Sequence, residues 1–530
     1  MILCDREGNC GTTHKDHRLS PVGRITSICR LSSRNLRHYT NFPTFLLLVT
    51  LFIGCLTLHE IRKLNRNSRV GVSTVKSGAL HPNMVNIGNR QAWIKAKHLE
   101  TGYLKHVTGV LESLGYSLDG GTYSDWNVMW AHDYPFGDAK LKEVMLNLKP
   151  HQKVNKWPGS GYVTSKVSLA TSSIRHIPKA FQLPARANEF KAYAEAHPDT
   201  LWVQKSNKHR GIRITPVSGL DLSMGNTFIQ QYVDKPLIID KKKFDIGIYT
   251  IITSISPLRI YIIDHEFLLR FCYEEYYPFD ASNVNKYIVA DEYTPIWEIP
   301  SLNKYYGNGF SAKFSFSQYL RDEGRDPSGI FQDIESTIRD VYISKLSDMR
   351  DSLKNYHNKN FFEMVRFDFV LDDALEVYLM EVNMSPNLSS GHFTRNRLLY
   401  EQVVYNLLHV VGAATRVEHH SKLEVNEQEM RVGPRDLSVD PDACVKHCAD
   451  GCKAVECRLC YPCMTSSYKE MLQEAYLEHV NRRSTKRIMP PTMSQATADE
   501  RPDYWQKLSD QDRTMHLWFA GKCKENPSWC

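Results

Sequence analysis

The chain has 530 residues, 42 % hydrophobic, 11 % aromatic and 24 % charged, a globular balance that excludes a wholly disordered, collagen-like or polytopic membrane protein. Lys plus Arg is 66 and Asp plus Glu is 59, a net charge of +7, which permits an acidic partner without demanding nucleic acid. The 13 cysteines are uneven: four up to Cys55, Cys272 alone, and eight from Cys444 to Cys530.

Residues 1–41 are polar and basic. The run 42–58, FPTFLLLVTLFIGCLTL, has no charge over 17 residues, the lower limit for a helical span of about 20. The expectation is a single-pass membrane anchor. A cleaved signal peptide fits less well, because the run starts late and no small-x-small site follows; a buried core helix is the alternative. Arg24, Arg30, Arg34 and Arg37 before it nearly balance Arg62, Lys63, Arg66, Arg69 and Lys76 after it, so charge does not set an orientation. Residues 59–90 read as a polar stalk.

From about 91 to 413 helical and strand patterns alternate. Leu104, Val107, Val110, Leu111 and Leu114 recur at helical spacing, as do Ile334, Ile338, Val341, Met349 and Leu353. FDIGIYTIITS (244–254) and PLRIYIIDHEFLLRF (257–271) predict a hairpin turning at Ser256-Pro257. Interleaved helices and hairpins point to an α+β fold, not a doubly wound one.

The segment MVRFDFVLDDALEVYLMEVNMSPN (364–387) holds two apolar strands around Asp372-Asp373-Ala374. Glu381 and Asn383 share a strand face. If Asp372 pairs with Val377, register counting sets Asp368 opposite Glu381. Opposed carboxylates repel unless a cation lies between them, and two carboxylates with an amide oxygen suit Mg²⁺. A solvated strand face with incidental acids is the plain alternative. A protease-like dyad fits poorly, since asparagine does not titrate. Cations for a phosphate are scattered. There is no Walker loop, and GSGYVTSK (159–166) fails that pattern and the dinucleotide fingerprint. Lys205 ends the strand Leu201–Gln204 before a short polar loop, and Lys243, Asp245 and Arg270 sit at strand ends.

Taken in order, these landmarks resemble the tubulin tyrosine ligase-like family of ATP-grasp ligases. They are Asp125-Trp126-Asn127-Val128-Met129-Trp130, then Asn155-Lys156-Trp157-Pro158-Gly159 with Lys166, then Trp202-Val203-Gln204-Lys205. Gln230-Gln231-Tyr232-Val233, Lys243-Phe244-Asp245, Leu269-Arg270-Phe271, Phe367-Asp368-Phe369 and Glu381-Val382-Asn383-Met384-Ser385-Pro386 follow. The resemblance covers roughly 95–413. It implies N-terminal (91–185), central (186–240) and antiparallel-sheet C-terminal (241–413) subdomains. It also implies ATP-dependent attachment of an amino acid to a protein carboxylate through an acyl phosphate. Asp368, Glu381 and Asn383 would hold Mg²⁺. Lys205, Lys243 and Arg270 would hold ATP phosphates, with Gln230, Gln231, Tyr232 and Val233 as the adenine hinge. Lys166, Asp245 and Arg270 would carry catalysis. The implied partners are free glutamate and the acidic tails of tubulin or microtubules, which the basic cluster His479, Arg482, Arg483, Lys486 and Arg487 would suit; tyrosine or glycine ligation are the other options.

The sequence departs from the family pattern at Ser206, where proline is usual, and at Gly211-Ile212-Arg213, which lacks a second glycine. Ile246-Gly247 replaces Leu-Arg, removing a cation, and Ala290-Asp291 loosely replaces Thr-Asn. A nucleotide-binding pseudo-enzyme is therefore the rival expectation. Past 413 the resemblance stops. In 414–530, Cys444, Cys448, Cys452, Cys457, Cys460 and Cys463 with Cys523 and Cys530 form an even set of eight. Four disulfides or a zinc site both remain open. Disulfides would favour a lumenal face of the membrane. A tubulin substrate would favour the cytosolic face, as do the sequons at Asn383 and Asn387, where a glycan would spoil the metal site.

Overall fold

A computed structural model of the chain describes residues 90–530, apart from 207–211, 415–431 and 450. The basic segment 1–41, the apolar run 42–58 and all of the stalk but its last residue lie outside the described residues, as do Arg210 and Gly211. The expectation of a single-pass membrane protein is corrected: among the described residues no helix is long and apolar enough to cross a membrane.

Two small sheets precede a large one. β1 (Ala92–Lys95), β2 (Val128–Ala131) and β3 (Lys153–Val154) pair in parallel. α1 (Lys105–Ser113) joins the first two, burying Val107, Val110 and Leu111 at the expected spacing. The short α2 (Lys166–Ala170) is capped by Ser165, whose hydroxyl accepts from Ser168 N–H. β4 (Ala180–Leu183), β5 (Trp202–Ser206), β6 (Arg213–Ile214) and β7 (Thr227–Gln231) form an antiparallel sheet in the order β4-β7-β5-β6. α3 (Ala187–Ala196) covers it through Phe190, packed on Phe181 and Trp202.

The large sheet is built on β9 (Lys242–Ile255), which follows the short β8 (Ile238–Ile239). The expected hairpin forms, but its second arm is two strands, β10 (Leu258–Ile263) and β11 (Leu268–Phe271). They pair with opposite ends of β9, Thr250–Ile255 and Phe244–Gly247. The break falls at Asp264-His265-Glu266, polar residues that do not suit a buried ladder. β12 (Thr294–Pro295) pairs with β11. Helix α4 (Ser328–Leu353) buries Ile334, Ile338, Val341, Met349 and Leu353. β13 (Glu363–Leu371) pairs with the other edge of β9, and β14 (Val377–Asn383) with β13. α5 (Asn396–Val410) completes this part.

The pleat of this sheet decides which side chains meet. Phe244, Ile246 and Ile248 of β9, Leu269 and Phe271 of β11, and Phe367 and Phe369 of β13 join the core that includes α4. Tyr249, Ile251, Leu268 and Met364 face the core that includes α5. Period two then puts Asp245, Gly247, Arg270, Arg366 and Asp368 on this second face. Without an irregularity Glu381 would share the face of Val377 and Leu379, inside the α4 core. A bulge prevents this. Phe369 pairs with Leu379 and Asp368 with Glu381, leaving Met380 as the extra residue. Past it, Val382 takes the core side and Glu381 and Asn383 turn to the site face. The expected Asp368–Glu381 register is observed, although Leu371 rather than Asp372 pairs with Val377.

The tail continues the large sheet. Its elements are α6 (Pro441–Cys448), α7 (Ser466–Val480), β15 (Thr485–Met489) and α8 (Asp510–Glu525). β15 pairs antiparallel with β10, from Ile263–Thr485 to Ile260–Met489, and the described residues fall in one compact unit. Arg259, 1 % exposed, donates to both carboxylate oxygens of Glu478 at 2.9 Å. Arg350 Nη2 donates to both oxygens of the buried Asp512 at 2.8 Å, and Leu258 N–H donates to Asp512 Oδ1. Removing one partner of such a pair costs about 3–5 kcal/mol, because the other charge stays buried.

All eight tail cysteines are paired: Cys444–Cys460, Cys448–Cys457, Cys452–Cys463 and Cys523–Cys530. Sulfurs of Cys448, Cys457 and Cys463 lie within 4.8 Å of one another, but each is used in a bridge. The basic cluster expected to meet tubulin is corrected to a largely internal seam. His479 stacks on Trp529, Arg487 lies over Phe519, and Lys486 Nζ donates to Glu335 at 2.6 Å.

Burial, with Arg482 and Arg487 beside it, pushes the His479 imidazole down to about 3; burial, with Arg501 and Arg487, pushes His516 to about 4. Both rings are neutral in the folded tail. Their contribution to stability is complete above the ordinary histidine pKa of about 6.5 and is lost as pH falls toward these values. Thermal unfolding followed by tryptophan fluorescence is expected to show Tm falling between about pH 6.5 and 4, with H479F flattening part of that fall.

Candidate functional site

Five strand positions and one helix start bring the charged side chains together. Arg366, two residues before Asp368 on β13, donates from Nε to Asp368 Oδ1 at 2.6 Å and from Nη2 to Oδ2 at 2.8 Å. Arg270 of β11, opposite Asp245 in the ladder, donates to both Asp245 oxygens at 2.9 and 2.7 Å and to Asp368 Oδ2 at 3.2 Å. Asn383 Nδ2 bridges Asp368 Oδ2 at 2.8 Å and Glu381 Oε1 at 3.1 Å. Lys166, the first residue of α2, donates to Glu381 Oε2 at 2.6 Å. The expected triad Asp368, Glu381 and Asn383 is thus assembled.

This face borders a cavity of about 170 Å³, whose lining includes Lys166, Lys205, Lys243, Asp245, Arg270 and Glu381. Lys205 at the end of β5 donates to Gln230 Oε1 at 2.9 Å, and Lys243 to the Tyr287 carbonyl at 3.1 Å. Lys166, Lys205, Lys243, Arg270 and Arg366 outnumber Asp245, Asp368 and Glu381, so the site has positive charge left for an anion. Burial pushes the Lys205 and Lys243 ammonium groups down to about 8. Burial also works against the Glu381 carboxylate, but the charge and hydrogen bond of Lys166, with Asn383 and Arg366, hold it at about 2. Asp245 is pushed up by burial and the nearby Asp368, against Arg270.

A second cavity of about 250 Å³ adjoins the same wall. Arg270, Asp291, Arg366, Asn383 and His392 are among its lining residues. Arg270 lines both cavities. The loop after Asn383 is fixed from several sides. Lys156 Nζ donates to Met384 O at 2.9 Å, Ser385 Oγ to His132 O at 2.6 Å, and His106 bridges Ser390 and Glu401. Lys156 is itself buried against Glu363, 3.8 Å away.

The hinge residues are only partly placed as expected. Gln230 touches Lys205, but Gln231, Tyr232 and Val233 are not in the first cavity's lining. Gln231 N–H donates to Lys179 O and Tyr232 N–H to Leu201 O. Arg366 was not anticipated. The signal was available: a basic residue in an apolar strand, two positions from Asp368 and hence on its face.

The profile of the tubulin-tyrosine ligase family matches residues 144–420. A protein of Caenorhabditis elegans named probable tubulin polyglutamylase ttll-15 is 44 % identical over 448 residues, covering 81 % of this chain and 84 % of that protein. Human tubulin polyglutamylase TTLL6 is 30 % identical over 345 residues, 59 % of this chain and 36 % of that protein. Human tubulin polyglutamylase TTLL5 is 30 % identical over 316 residues, 53 % and 23 % respectively. The ordered motifs, the cluster they build on one sheet face and these matches agree: the chain belongs to the tubulin-tyrosine ligase family.

Proposed function

We propose that this chain is an ATP-dependent ligase that adds glutamate to glutamate side chains in acidic tubulin tails. The observation that carries the reading is the shared wall. Arg270 contacts Asp245 and Asp368 and lines both cavities, so a phosphate on one side and a carboxylate on the other can meet across one guanidinium. The names of the relatives supply the choice of tubulin and glutamate.

Asp368, Glu381 and Asn383 would hold Mg²⁺; two carboxylates and an amide are hard oxygen donors that suit it. Lys205 and Lys243, buried cations, would hold ATP phosphates. Bound ATP supplies the phosphoryl group that activates the acceptor carboxylate, and Mg²⁺ neutralises charge. Arg270 stabilises charge on the group in transit, preorganised by its bonds to Asp245. Lys166 neutralises charge beside Glu381. The second cavity, with Arg270 and Arg366 in its wall, admits the acidic reactants. The hydrogen bonds of Lys156, Ser385 and His106 around the loop after Asn383 hold that side of the site in register with the rest.

Purified protein with ATP, Mg²⁺, labelled glutamate and tubulin is expected to incorporate label, and Asp368→Ala to lower incorporation at least about 100-fold. No incorporation by the parent protein, alongside ATP binding that Asp368→Ala abolishes, would instead mark a nucleotide-binding scaffold. A second expectation follows from the two lysines. Each is charged below about pH 8, and a bound polyphosphate keeps it charged at higher pH. ATP affinity is expected to fall as pH rises through about 8, with proton uptake on binding, measured by calorimetry in buffers of different ionisation enthalpy. Lys205→Arg is expected to lose part of that proton uptake.

A further inference from the structure

Gly247 lies directly opposite Asp368 in the β9–β13 ladder. A Cβ at this glycine would stand 2.9 Å from Arg366 Cδ, 3.2 Å from Arg366 Nε and 3.2 Å from Asp368 Oδ1. The space above Gly247 is therefore filled by the Arg366 side chain, which crosses from the neighbouring strand. Arg366 is 6 % exposed and is tied to both oxygens of Asp368. It cannot step aside for a methyl group without giving up those bonds. The same guanidinium borders the second cavity beside Arg270 and Asn383.

We propose that Arg366 is a positioning residue of the ligase site: it occupies the room that Gly247 leaves, holds Asp368 by both oxygens, and with Arg270 fixes that carboxylate in the wall between the two cavities. The assignment rests on the reading of Asp368 as a Mg²⁺ ligand. Partners that orient a ligating carboxylate set its affinity for the metal, and losing one costs about 10–100-fold. Gly247 and Arg366 act as a pair. The glycine removes one side chain from β9, and the arginine returns a cation to nearly the same place from β13.

The test measures the Mg²⁺ concentration for half-maximal ATP binding, by calorimetry on the full chain, beside thermal stability and ligation. Arg366→Gln is expected to raise that concentration about ten-fold, with Arg366→Lys in between. Gly247→Ala is expected to raise it several-fold, because the added methyl displaces the arginine from Asp368 while both charged side chains remain in the chain. Should Arg366→Gln fail to fold, Gly247→Ala decides alone. In an Arg366→Ala background, adding Gly247→Ala is expected to cost far less than in the parent, since the arginine is gone and only the looser 3.2 Å approach to Asp368 Oδ1 remains. An unchanged Mg²⁺ dependence in Arg366→Gln or Gly247→Ala overturns the assignment, as do additive losses in the double variant. Parent protein that binds Mg²⁺ and ATP but transfers no glutamate removes the proposed function and leaves the role of Arg366 to these binding measurements.

Discussion

The phase of the pleat in β9, β11, β13 and β14 is the constraint on which the site depends. A strand side chain has two directions, and one is committed here to the core that includes α4. The functional residues that these strands carry must therefore fall on the alternate positions of all four at once. Three strands meet this by simple alternation. β14 does not, and the bulge at Met380 corrects it. Were Met380 to take a regular place in the ladder instead of bulging, Glu381 and Asn383 would fall on the core side and Val382 would face the cavity.

Charge balance on that face follows from its burial. Isolated carboxylates at these positions would bear a desolvation cost of several kcal/mol each. Asp368 is met by Arg366 and Arg270, Asp245 by Arg270, and Glu381 by Lys166. The cations do double work. They offset the burial of the carboxylates before any ligand arrives, and their excess of charge favours a polyphosphate when one does. Lys205 and Lys243, lacking carboxylate partners within hydrogen-bonding distance among the described residues, show burial most plainly in their lowered pKa.

Much of this was legible in the sequence because it is local. Asp368, Glu381 and Asn383 lie within sixteen residues on two strands joined by a short turn, and counting alternation and loop length was enough to oppose them. The count succeeded through compensation: the turn closes one residue earlier than assumed, and Met380 restores the register. Arg366 was overlooked although Gly247 stood out as a lost cation, since the two are distant in sequence and only the pairing of β9 with β13 brings them together. The hinge segment at Gln231–Val233 shows the opposite difficulty. Its sequence was recognisable, but the backbone N–H groups of Gln231 and Tyr232 donate to the carbonyls of Lys179 and Leu201. The basic run around Arg482 looked like a surface because charge alone does not report burial. Its ring contacts, with Trp529 and Phe519, come from the far end of the chain.

The pairing of β15 with β10 bears on where the folding unit ends. The family profile match ends at residue 420, yet the sheet is completed by residues 485–489. A chain cut at the end of the family match would leave Ile260-Tyr261-Ile262-Ile263 as a bare apolar edge, with backbone donors and acceptors free to recruit a strand from another molecule. Arg259 and Arg350 would lose the acids that neutralise them. Such a fragment would keep every residue of the candidate site and still be prone to self-association. The cysteine-bridged tail thus serves as the closing edge of the ligase sheet, and the segment matched by the family profile is smaller than the segment that completes the sheet.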